Sequence, residues 1–264
     1  CIFLFDWGMA GAAGATAFSG FISILIMLTH FLKPDCSLKF RFSDLQFFSR
    51  LKRIWQNGLP SLIAECSSGL IILLFNIQLM SKGGVAAVTC YSIISNVAYL
   101  FLAVYTGTSS TLQPLCSINA GAGNIHRVKQ FFRLGVITVL CASLCFVLIG
   151  EFFPIAVVSI FTEPTPDLVE VAVYAIRIYF IAYLPMGLNI ISATFHQSLE
   201  SSREATLISL GRGLFFLVPV LFLLSSLFGV GGIWATVPVS EFLTLLLSAL
   251  LLKRLFASRL SDND

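Results

Sequence analysis

Glutamates at 65 and 241 each interrupt a run of apolar residues long enough to cross a bilayer. An ionisable group at that depth is costly, so it is a candidate for function by default. Glu65 falls on one helical face with Ser61, Ser68 and Asn76, and no basic residue stands one turn away on its own segment. Three more polar stripes accompany it. One carries Ser92, Asn96, Tyr99, Thr106, Ser110 and Gln113, one carries Tyr179, Tyr183 and Asn189 around Pro185, and one carries Glu241, Thr244 and Ser248 after Pro238. Turned toward a common centre, the four would line a wet cavity. Glu65 and Glu241 would hold a proton or a sodium ion there. Ser68, Asn76, Asn96, Tyr99, Gln113, Tyr183 and Asn189 would line the remaining space, and tyrosines such as Tyr99 and Tyr183 could meet a cation by the ring face. The competing reading for serine, threonine, asparagine and glutamine is a bridge between neighbouring helices. For Glu241 it is an ion pair with Arg177, and His196 reads as an interfacial residue near the end of its helix.

The elements that must position these residues follow from composition. Hydrophobic residues make up 57% of the 264 positions and charged residues 11%, against about 25% charged in soluble domains. Mean hydropathy is +0.93. The chain reads as an integral membrane protein of the all-α class, a polytopic helix bundle. A spanning helix needs about 20 mainly apolar residues. Seven segments qualify: Trp7–Leu32, Leu59–Met80, Val85–Cys116, Phe131–Ile149, Leu168–Gln197, Thr206–Phe228 and Ile233–Leu252. The third and fifth exceed what a bilayer needs and are expected to tilt, kink or protrude. Pro114, Pro185, Pro219 and Pro238 mark kinks.

Basic residues orient the bundle. Lys33, Lys39, Arg41, Arg50, Lys52, Arg53, Arg127, Lys129, Arg133, Arg203, Arg212, Lys253, Arg254 and Arg259 fall to one side, fourteen of the sixteen in the chain. Lys82 lies opposite, and Arg177 lies inside a segment. The first long connection and the C-terminus are therefore expected to be cytoplasmic. Within that connection, Leu45, Phe48, Leu51, Ile54 and Trp55 share a face, as in a helix lying along the inner interface. The stretch from Asn119 to Asn124 is glycine-rich but lacks the G-K-[ST] of a phosphate cradle, and reads as a tight turn. Seven cysteines, mostly inside apolar segments, read as small packing residues, and no N-x-[ST] sequon occurs.

An internal copy suggests how much of a protein this is. At a constant offset, Gly8 meets Gly229, Gly11 meets Gly232, Ser19 meets Ser240, Phe21 meets Phe242 and Leu25 meets Leu246, while Lys33 faces Arg254. Residues 1–33 then read as the last helix of a truncated N-terminal lobe and 34–57 as an interlobe connection with an amphipathic helix. Residues 58–254 would form a six-helix C-terminal lobe and 255–264 a tail. The chain is expected to be the C-terminal portion of a longer protein.

In this order, the short motifs resemble a known family. Gly58-Leu59-Pro60 opens one helix, Leu112-Gln113-Pro114 closes the next, and Asn119-Ala120-Gly121 follows at its exit. Ala175-Ile176-Arg177 and Phe195-His196-Gln197 bracket the fifth segment, and Gly229-Val230-Gly231-Gly232 starts the last. Together they are similar to the sixth to twelfth helices of multidrug and toxic compound extrusion (MATE) transporters. The likeness is greatest to the bacterial branch of multidrug exporters and DNA-damage-inducible transporters. The resemblance implies a twelve-helix antiporter of two lobes that expels organic cations in exchange for H+ or Na+, with no other cofactor. It implies as partners a lipid bilayer, a small organic cation and the missing N-terminal lobe of the same chain, with no nucleic acid, in the cell membrane. Two family carboxylates are absent from their expected places: one position is Ser68, and the other is Gly187, four residues after Tyr183.

Other functions remain to be weighed. A flippase for lipid-linked precursors on the same superfold would want basic residues in the central cavity, for which Arg177 is the candidate. A seven-helix receptor fits the topology but not the internal copy. No H-E-x-x-H or G-x-S-x-G motif points to an enzyme.

Overall fold

The computed structural model describes residues 8–29, 47–163 and 165–259. They divide into two compact units, Cys1–Arg50 and Leu51–Asp264. The first contains α1, Gly8–Leu28, whose apolar side chains from Phe18 to Leu28 stand largely exposed. Residues 30–46, with Lys33, Lys39, Arg41 and Leu45 of the long connection, lie outside the described residues.

The second unit is built from helical passes. α2 spans Phe47–Gly121 as two helical passes that reverse at Gly84 (φ 66°, ψ −162°). The rings of Phe75 and Tyr91 stack at 5.1 Å, where an unbroken helix would hold them about 24 Å apart. Only glycine takes such a backbone conformation without strain. α3 (Ile125–Phe152), the short α4 (Pro154–Ser159) and α5 (Pro166–Phe180) follow. Next come α6 (Tyr183–Ser198), α7 (Ser202–Leu210), a π-helical turn at Gly211–Phe215, and α8 (Leu217–Arg259). α8 reverses in turn at Gly229 (φ 60°, ψ −132°). Gly232 packs so tightly on the returning chain that an added Cβ would lie 1.9 Å from the Leu224 carbonyl oxygen.

Among the described residues, four apolar stretches are long enough to cross a membrane: Ile54–Gly121, Ile125–Phe152, Leu168–Ser198 and Ser202–Ala257. Two of them fold back at Gly84 and Gly229, so they make six passes; α1 adds a shorter apolar helix, Ala13–Leu28. The expected kink of the fifth segment is a break between α5 and α6 at Ile181 and Ala182. Pro185 cannot donate to the Ile181 carbonyl and its ring crowds it, so that carbonyl accepts instead from Leu184 N at 3.4 Å. Gly8 and Gly229, in register across the internal copy, both take positive φ, 49° and 60°.

The unit's core is aromatic and small-residue packed. Phe101, Phe146, Phe180 and Tyr183 interlock, with Phe101 stacked on Phe146 at 3.8 Å. Tyr91 leans on the fully buried Trp234. At the end with the reversals, the turn of α2 meets that of α8: Lys82 Nζ donates to the Ser225 carbonyl, and a Cβ on Gly83 would stand 3.3 Å from Val230 Cγ2. At the opposite end, Gln197 donates to the Asn57 carbonyl (2.8 Å) and to Ser61 Oγ (3.2 Å), while Ser202 donates to Asn57 Oδ1. The start of the first pass is thereby tied to the junction of α6 and α7. Cys90 and Cys116 are buried packing residues, whereas Cys66, Cys141 and Cys145 are exposed.

Candidate functional site

A cavity of about 780 Å³ opens on the second unit, walled by α2, α6, the π-helical turn and α8. The first pass of α2 contributes Ser61, Glu65 and Ser68, and the returning pass contributes Tyr91, Tyr99, Thr106, Ser110 and Gln113. Tyr179 comes from α5, Arg212 from the π-helical turn and Glu241 from α8. Among the described residues no basic group pairs with Glu65, which stands exposed on the cavity side of α2. Neighbouring hydroxyls bond along their own helices, Ser68 to the Ala64 carbonyl (2.9 Å) and Thr106 to that of Leu102 (2.9 Å). Tyr99, 60% exposed, presents its ring to the opening.

Glu241 is placed differently. It is 4% exposed, and Arg212 grips it from the neighbouring pass: Nη2 lies 3.0 Å and Nε 3.0 Å from Oε1, with Nε 3.2 Å from Oε2. Asn189 Nδ2 donates to Oε2 at 2.8 Å and to the Glu241 carbonyl at 2.9 Å, and Ser248 Oγ donates to Asn189 Oδ1 at 2.6 Å. The π-helical turn makes this possible. Gly213 lies against Ser67, so closely that a Cβ would stand 2.3 Å from Ser67 Oγ. The Arg212 side chain projects from the same turn toward α8. π-Turns inside longer helices are frequent at functional sites.

Several sequence expectations change here. Arg177 is not the partner of Glu241; it sits 3.6 Å from Glu151, both half exposed. Arg212 is not a loop charge but a buried-pair partner on the cavity wall. Its place inside the apolar segment Thr206–Phe228 was the signal available for this. His196 is fully buried, not interfacial, with Nδ1 donating to the Ser192 carbonyl at 2.8 Å. Of the residues expected to line the cavity, Ser68, Tyr99 and Gln113 do so. Asn76 lies in a shallow groove with Leu73, Ile77, Met80, Ser81 and Val88. Asn96 bonds back to the Ser92 carbonyl at 2.8 Å and lies outside the wall. Tyr183 and Asn189 are fully buried behind it. Tyr91 and Arg212 are wall residues that the polar stripes missed.

Tyr183 instead anchors the break between α5 and α6. Its carbonyl lies 2.9 Å from Tyr105 Oη and 3.1 Å from Ser143 Oγ, and the two hydroxyls, 2.8 Å apart, share their two protons among these three contacts. Gly187 packs into the same cluster: a Cβ there would stand 2.3 Å from Val139 Cγ1 and 3.0 Å from both Ser143 Oγ and Tyr105 Cε1.

Comparison with known proteins gives a consistent picture. The family model MatE matches residues 60–231. The chain is 27% identical over 269 residues to the multidrug export protein MepA of Staphylococcus aureus (strain MSSA476), covering 98% of this chain and 57% of the relative. Among solved structures, it superposes on the MATE multidrug transporter DinF-BH, solved as a ligand complex, with TM-score 0.84 and 26% identity over 96% of this chain and 57% of that one. It superposes on a mutant of the Vibrio cholerae MATE transporter VcmN with TM-score 0.87 and 23% identity over 98% of this chain and 59% of that one. The chain thus spans a little over half the length of the relatives it matches.

Proposed function

Because the chain belongs to the MatE family, we propose that it forms one lobe, with the adjoining last helix of the other, of a secondary antiporter that exports organic cations in exchange for H+ or Na+. MepA's description as a multidrug export protein supports the drug-export half of this reading. The observation that carries it is a cavity of about 780 Å³, mainly apolar but bearing hydroxyls and a carboxylate, Glu65, with no basic partner among the described residues. A cation and the coupling ion would compete for that one carboxylate, and Tyr99 and Tyr179 would face the substrate with aromatic surface. Occupation by one then requires release of the other, which is exchange without a nucleotide.

The division at 33, 57 and 254 into last helix, interlobe connection, C-terminal lobe and tail belongs to the same proposal. So does a cytoplasmic C-terminus. With Arg212 assigned to the cavity wall, thirteen of the sixteen basic residues still favour that orientation. A flippase reading asks for an unpaired cation in the cavity, and the guanidinium of Arg212 is engaged by Glu241.

The test is transport by the full-length protein in proteoliposomes, following ethidium against an imposed H+ or Na+ gradient. Glu65→Gln is expected to lower gradient-driven efflux at least tenfold. Unaltered efflux and coupling would remove Glu65 from the mechanism.

A further inference from the structure

Six side chains on the cavity wall can carry charge: Glu65, Tyr91, Tyr99, Tyr179, Arg212 and Glu241. We propose that Arg212 and Glu241 are a charge-silenced pair: Glu241 is the standing counter-ion of Arg212 and carries no coupling ion. Glu65 is then the exchanging carboxylate of this cavity wall. The inference rests on the antiporter reading for the role of Glu65 but not for the pairing itself.

The geometry argues for it in three steps. First, both carboxylate oxygens of Glu241 are already engaged, Oε1 by two nitrogens of Arg212 and Oε2 by Arg212 Nε and Asn189 Nδ2. A proton or sodium ion entering there would have to displace a guanidinium held at 3.0 Å. Second, the network closes. Ser248 Oγ shares its proton between Asn189 Oδ1 (2.6 Å) and the Thr244 carbonyl (2.8 Å), and Asn189, Glu241 and Ser248 are buried. A fully satisfied buried network resists rearrangement because every alternative leaves a polar group unpaired. Third, Arg212 cannot readily leave. Its turn is clamped on either side, Gly213 against Ser67 and Gly211 with only 3.3 Å between a Cβ and Thr244 Cγ2. Removing one partner of such a pair strands the other's charge at the cavity wall, whereas removing both charges together strands none.

The role assigned to the pair concerns specificity. Were Arg212 unopposed, its positive charge would repel a cationic substrate from the cavity that Glu65 serves. Glu241 cancels that charge. Net charge, not the glutamate itself, is what substrate binding feels.

The experiment uses full-length protein in detergent. Tetraphenylphosphonium affinity is measured by calorimetry, and protons released per cation bound are obtained by repeating the titration in buffers of different ionisation enthalpy. Glu241→Gln is expected to weaken the affinity at least tenfold. The double variant Arg212→Gln/Glu241→Gln is expected to recover it to within about threefold of wild type, with proton release intact, whereas Glu65→Gln abolishes the release. A double variant that loses proton release would make Glu241 a carrier and overturn the proposal. If wild-type protein binds no cation, the antiporter reading fails, and the pairing is judged on thermal midpoints alone. Singles lowered and the double recovered would uphold it, and a double as low as the singles would overturn it.

Discussion

Ser68 and Gly187 stand at the two places where family resemblance expects a carboxylate, and their surroundings are opposites. Ser68 lies on the open face of α2, exposed, its hydroxyl turned back to the Ala64 carbonyl of its own helix. Gly187 lies in the tightest part of the bundle, with Val139, Ser143 and Tyr105 closed over the spot where a Cβ would go. Losing a carboxylate at the first position leaves the cavity shape intact. At the second, the space itself has been given to packing, and the hydroxyls that would otherwise be free to surround an acid hold the Tyr183 carbonyl. The cavity wall is therefore chemically open to change at Ser68, whereas the core behind it is structurally committed at Gly187.

The contrast can be broken at its strongest point by Gly187→Asp. The new side chain has to displace Val139 and Tyr105 and bury an unpaired charge, for a cost of about 4 kcal/mol or more. The expected outcome is loss of the monodisperse peak in fluorescence-detected size exclusion; a folded, monodisperse variant would show the committed core to be pliable. Tyr105→Phe probes the same core more gently. It deletes the hydroxyl that bonds Tyr183 O and Ser143 Oγ, but Ser143 still reaches that carbonyl at 3.1 Å. A loss of about 1 kcal/mol is expected, read as a lower thermal unfolding midpoint. Ser68→Glu sharpens the other side. An exposed position should tolerate it to within about 0.5 kcal/mol, and a second carboxylate beside Glu65 is expected to tighten tetraphenylphosphonium binding several-fold in the titration above. A strongly destabilised Ser68→Glu would deny that this wall is open.

Much of this architecture was legible in the sequence because lipid enforces it: long apolar segments have to be helices, and a missing N–H breaks one at Pro185, although Pro114 and Pro238 sit inside helices whose non-helical residues are Gly84 and Gly229. Pro185 marked the α5–α6 break for that reason. The wall of the cavity was legible only in part. Helical spacing put Glu65 and Ser68 on one face, but spacing along one helix cannot say which face a neighbour covers, so Asn96 and Asn189 were equally eligible. Arg212 escaped for a different reason. Counting basic residues by connection ignores depth, and a residue some six positions into an apolar segment is deep enough to be buried. Its partner Glu241 is on the next pass, a relation between helices that no local pattern encodes.

The reversals at Gly84 and Gly229 leave no slack. Each joins its two passes through a single residue, and Lys82 and Val230 fasten the one turn to the other. Helices joined this way swing like the legs of a compass about its rivet. Any widening of the cavity is thus expected to be greatest far from these turns, where Gln197 and Ser202 hold Asn57 as a latch of hydrogen bonds that can open and reclose.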